Sequence, residues 1–113
     1  MKKILLILVL FFCSNIHADE QLLIRKLLNH LENSDVIFFT NQIPYSPKEA
    51  RNQLESSLIR SGITILTAED FIHKIATRSY ITGHKYYIKT EKGEKLEASN
   101  WFSNALKKIR RGK

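Results

Sequence analysis

Three consecutive pieces decide the fold: Thr67-Ala-Glu-Asp-Phe-Ile-His-Lys-Ile-Ala-Thr-Arg78, then Ser79-Tyr-Ile-Thr-Gly-His-Lys85, then Tyr86-Tyr-Ile-Lys-Thr90. In the first, Thr67 and Asp70 open a pattern that places Phe71, Ile72, Ile75 and Ala76 on one face, which predicts a capped amphipathic helix. Lys74 and Arg78 suit its negative end. Gly83 can take the left-handed conformation that a turn after the helix requires. Tyr86 to Thr90 is short, aromatic and β-branched, and reads as a strand. A helix, a polar bend and a strand of this size need cover from the rest of the chain.

That cover is legible on both sides. Upstream, Ser46-Pro-Lys-Glu49 predicts a helix start, with serine as cap, proline at the first position and glutamate reaching back. Ala50, Leu54, Leu58 and Ser61 line one face of this helix, Gly62 ends it, and Ile63, Ile65 and Leu66 make an apolar connection. Before it, Val36 to Thr40 reads as a strand. Asn41-Gln42 forms a tight turn, and Ile43-Pro44-Tyr45 is a return that Pro44 confines to an edge. A first helix is expected over Glu20–Glu32, with Leu23, Ile24, Leu27, Leu28 and Leu31 inward and His30 as a solvated histidine beside the stripe. Downstream, Glu91 to Glu94 turns the chain to a short return at Lys95-Leu96. A last helix over Ala98–Arg110 carries Trp101, Phe102, Ala105, Leu106 and Ile109. There is no internal repeat and no linker. The expectation is one α+β domain, with about four helices packed around a small antiparallel sheet.

Residues 1–18 have the layout of a secretory signal peptide. Lys2 and Lys3 precede the unbroken apolar run Ile4 to Cys13, and a polar stretch ends at Ala18, the expected cleavage point. As a helix that run reaches only about 15 Å, against a bilayer core of about 30 Å, which disfavours a retained anchor. Phe12 stands where a lipoprotein needs a small residue before Cys13. The expected domain is therefore 19–113, in the periplasm or secreted. Cys13, the single cysteine, leaves with the leader, so neither disulfides nor thiol chemistry is expected in the mature chain.

The formal charge of +7 falls by two with loss of Lys2 and Lys3. Much of the remaining excess is Lys107, Lys108, Arg110, Arg111 and Lys113. A basic balance favours anionic partners, and in an exported protein a lipid surface or wall polymer is favoured over nucleic acid. The terminal cluster also suits the end of a helix, where cations complement the dipole.

Tyr45-Ser-Pro-Lys-Glu-Ala50, Thr67-Ala-Glu-Asp-Phe-Ile72, Ser79 with Gly83 and Tyr86, and finally Trp101 resemble in order and spacing a family of small exported bacterial proteins. This is domain-of-unknown-function family 5329, which includes YfeK-like proteins. The resemblance covers nearly all of residues 20–110. Gln42 stands where the turn usually carries glycine, and Lys85 where a proline precedes the tyrosine. The resemblance implies a signal peptide and a periplasmic home, and it brings no activity, cofactor or catalytic residue.

Several constellations carry residue types suited to chemistry. Glu69, Asp70 and His73 sit on adjacent helical turns but lack a fourth ligand, and Asp70 is needed as a cap, so no metal site is expected. Ser79, His84 and Asp70 can be drawn as a triad, without a nucleophile elbow around the serine. Glu91, Glu94 and Glu97 lie in a lysine-rich turn rather than as a catalytic carboxylate pair. No glycine loop cradles phosphate, and no cofactor is expected.

The bend from Arg78 to Tyr86 is the favoured site. Arg78, Ser79, Thr82, Gly83, Lys85 and Tyr86, with Asn41 and Tyr45 from the other hairpin, form a candidate surface for a partner protein or a small anionic or sugar ligand. The expected role is that of a non-enzymatic binding or accessory protein. One alternative is a peripheral envelope protein docked by the basic terminal helix on an anionic membrane surface. Another is a cell-wall or carbohydrate-active enzyme.

Overall fold

A computed structural model describes residues 17–112. The leader up to Ile16, and Lys113 of the basic cluster, lie outside the described residues. Ala18, the expected cleavage point, is the first residue of helix α1 (Ala18–Glu32). Strands β1 (Ile37–Thr40) and β2 (Ile43–Tyr45) follow, then helix α2 (Pro47–Arg60), a short α3 (Ala68–Asp70) that widens into a π-helical turn over Phe71–Ile75, strands β3 (Tyr86–Lys89) and β4 (Lys95–Glu97), and helix α4 (Ala98–Arg111). Four helices and one four-stranded antiparallel sheet make the α+β fold that the sequence predicts.

The sheet order is β2-β1-β3-β4. Phe38 stands opposite Ile88 and Thr40 opposite Tyr86, and these four side chains point to the helices, where all are buried. Phe38 and Tyr86 pack with ring centroids 4.8 Å apart. From the helices come Leu27 and Leu31 of α1, Leu54 of α2, Phe71, Ile72 and Ile75 of the π turn, and Phe102 of α4, all buried. Phe71 meets Phe102 edge to face at 6.1 Å, and Trp101 meets Phe102 at 5.1 Å. Fully burying one such side chain stabilises by about 1.5–3 kcal/mol, so this one interior holds sheet and helices together.

Local signals account for the element ends. Ser46 and Glu49 close the reciprocal capping box. Gly62, just past α2, has φ +74°. Asn41 and Gln42 both have positive φ, 52° and 66°, the conformation of a two-residue hairpin turn whose twist matches the flanking strands.

The central helix departs from expectation. Instead of a regular α-helix to Arg78, the Ala76 amide donates to the Phe71 carbonyl at 3.0 Å, an i to i−5 bond. The Thr77 hydroxyl donates to the Ile72 carbonyl at 2.9 Å, supplying a partner that the wider turn leaves wanting. Phe71, Ile72, Ile75 and Ala76 are all buried in the interior from this turn.

Candidate functional site

The helices cover one face of the sheet. Its other face is open, and alternation along the strands determines what it shows. Phe39 faces outward between Pro44 on β2 and Tyr87 on β3, and Tyr87 stands opposite Glu97 on β4. The neighbouring row is Ile37, Lys89 and Lys95. Of these, Phe39, Tyr87, Lys89 and Lys95 line a groove of about 820 Å³. At one end the groove is closed by the Asn41-Gln42 turn with His84 and Lys85, and at the other by Lys89, Lys95 and Gly93.

The charges here are predominantly positive. Lys85 Nζ lies 3.2 Å from a Glu97 carboxylate oxygen. Lys95 Nζ sits 4.9 Å from the centroid of the Tyr87 ring, a cation–π contact. Lys89 is exposed and stands directly across from Lys95. Among the described residues neither Lys89 nor Lys95 has a carboxylate within ion-pair reach.

The residues favoured from the sequence divide among this groove, the interior and the exposed outer side of the bend. Asn41 and Lys85 line the groove, brought together because β1 and β3 pair. Ser79 is buried; its hydroxyl accepts from the Ile81 and Thr82 amides, both at 3.2 Å. Thr82 is exposed and its hydroxyl accepts from the His84 amide. The Ser79 amide donates to the His84 carbonyl and the Gly83 amide to the Ser79 carbonyl, with Gly83 at φ +79°. Arg78 is exposed and pairs through its backbone with Lys85. The hydroxyls of the bend thus build the bend itself.

Tyr86 is 1% exposed and Tyr45, half-buried, packs against the core. Burial pushes the Tyr86 phenol above its ordinary value, opposed by the Ser79 and Ser57 hydroxyls nearby. Phe39, Tyr87, Lys89 and Lys95 are the strand residues of the groove that reading the bend alone misses. The signal for them is alternation: they occupy the outward positions of β1, β3 and β4.

The other constellations are engaged elsewhere. Arg110 forks onto Glu69 at 2.6 and 3.2 Å, and holds its carboxyl below the ordinary value. Asp70 accepts from the Leu66 amide at 2.9 Å, and that bond is the main cause of its lowered pKa. His73 is exposed. Among the described residues no three His, Cys, Asp or Glu side chains are grouped to hold a metal, and no helix is long and apolar enough to cross a membrane. In the terminal cluster Lys107, Lys108 and Arg111 are exposed, whereas Arg110 is drawn onto Glu69.

A model of the Family of unknown function (DUF5329) matches residues 18–110. The Uncharacterized protein YfeK of Salmonella typhimurium (strain LT2) is 37% identical over 92 residues, spanning 76% of this chain and 77% of that protein. No solved structure matches.

Proposed function

The chain belongs to the DUF5329 family, and from that premise we propose that it is a non-enzymatic binding or accessory protein of the bacterial envelope that holds its ligand on the open face of its sheet. The observation that carries this reading is the outward row of Phe39 and Tyr87 flanked by Lys85, Lys89 and Lys95 in one groove. Apolar ring surface beside a few convergent polar groups is the composition of a recognition site. The positive charge selects anionic occupants. Export is supported by the Lys2-Lys3 start and the apolar run Ile4 to Cys13.

Isotope-labelled protein titrated with fractionated envelope extract tests this reading. Amide shifts should concentrate at residues 39, 41, 85, 87, 89 and 95, and should disappear on Tyr87→Ala. Shifts that avoid the sheet face would overturn it.

A second reading draws on Lys107, Lys108 and Arg111, exposed on α4, as an electrostatic contact with an anionic membrane surface. Vesicle binding on that reading falls away between low and moderate salt, and the shifts map to α4 instead. A wall or carbohydrate-active enzyme draws no support from Ser79, whose hydroxyl serves the turn.

A further inference from the structure

We propose that the occupant of the groove is an acidic polysaccharide, one of whose anionic groups lies between Lys89 and Lys95. This rests on the binding role given above and names the ligand class for that site.

Lys89 and Lys95 are direct partners across β3 and β4, and directly opposed side chains on one face lie close enough for like charges to destabilise the pair. No described carboxylate neutralises either of them. The repulsion is not forced by the fold, because a glutamate at either position would turn it into attraction. A local choice that leaves like charges directly opposed is expected where a site serves binding. An anion between the two ammonium groups converts the repulsion into two charge-assisted contacts.

From Lys85 to Lys89 the strand rises about 13 Å, room for a chain of several units rather than a single ion. The middle is apolar, with Phe39 beside Pro44. The far end carries the Asn41 and Gln42 amides, which can both donate to and accept from hydroxyls. Two lysines without a described carboxylate partner at one end, apolar surface in the middle, and amides beside Lys85, itself paired with Glu97, at the other suit a chain of hydroxyl-rich saturated rings bearing acid groups. Single-stranded nucleic acid fits less well, because successive bases stack on successive ring faces, and with Lys95 over Tyr87 the strands of the groove offer them Phe39 alone.

The test titrates the protein with oligogalacturonate, with a neutral oligosaccharide of equal length and with oligothymidylate, at fixed salt, by calorimetry and amide shifts. Oligogalacturonate should bind most tightly and shift residues 39, 87, 89 and 95. Lys89→Glu should raise the melting temperature and weaken binding by about tenfold or more. Lys95→Gln should also weaken it, while the Lys107→Gln, Lys108→Gln double variant should bind as wild type. The proposal is overturned if oligothymidylate or the neutral sugar binds as well, if Lys89→Glu keeps its affinity, or if the α4 variant loses as much. If oligogalacturonate fails while the envelope extract still shifts the sheet face, the ligand class alone is wrong. If neither reaches that face, the binding role falls with it.

Discussion

Glu20 Oε1 accepts a 2.7 Å hydrogen bond from the Ala68 amide, 48 residues further along the chain. Helix α1 thus caps α3, in company with the Thr67 hydroxyl, which accepts from the Asp70 amide at 3.0 Å. Removing a cap typically costs about 1 kcal/mol. Glu20→Ala should lower stability by about that amount in urea denaturation. Glu20→Gln keeps an acceptor oxygen and should lose less. Equal losses would show that the carboxylate charge, rather than the capping bond, is what counts.

Acid should loosen the contact between α3 and α4. The Arg110 guanidinium holds the Glu69 carboxyl below its ordinary value of 4.5. Since the folded pKa is the lower one, the stabilisation is complete above the unfolded value and is lost as pH falls through the folded one. The pair is exposed and screened, so at neutral pH Glu69→Gln should change stability little. Its effect should instead be a shallower acid limb of stability against pH, followed by thermal melting. Asp70, held down mainly by the Leu66 amide, leaves part of that limb in place.

Thr40 is buried opposite Tyr86, and its hydroxyl oxygen has no hydrogen-bond partner among the described residues. An unsatisfied buried polar group costs about 1–3 kcal/mol. Thr40→Val keeps the branched shape and should stabilise by roughly 1 kcal/mol, read from a denaturation midpoint. No gain would mean that the hydroxyl is satisfied in solution.

Adjacent tyrosines should behave in opposite ways. Tyr86→Ala empties a core site and should cost about 3–5 kcal/mol, while Tyr86→Phe keeps the packing and should leave groove binding unchanged. Tyr87→Ala should leave most of the stability and remove binding. Calorimetric titration beside thermal melting separates the two positions.

The distinction between those two tyrosines also marks where sequence reasoning stopped. Helix α2 was legible because its signals are local: Ser46 and Glu49 bond each other and Pro47 opens the first turn. The strands were legible from composition. Which of Tyr86 and Tyr87 faces water was not, because alternation fixes that adjacent residues differ and leaves open which face the helices cover. The favoured bend contributed Lys85, and the β1–β2 turn Asn41, to the groove, while Ser79 and Tyr86 were spent on building and packing the bend. The π turn was hidden because its cause is the bond from Ala76 to Phe71 with Thr77 as auxiliary. The Glu20 cap was hidden because its partner is remote in sequence.

The two outer strands have a consequence for behaviour at high concentration. β2 is three residues long and contains Pro44, and β4 is equally short and carries Lys95. A proline offers no amide to an incoming strand, and brevity with a protruding ammonium group discourages edge-to-edge pairing. The same chain that leaves a broad sheet face uncovered therefore gives a second molecule little purchase along its borders. Crowded preparations should stay dispersed rather than grow into fibrils, and replacing Pro44 with a β-former would remove one of those safeguards.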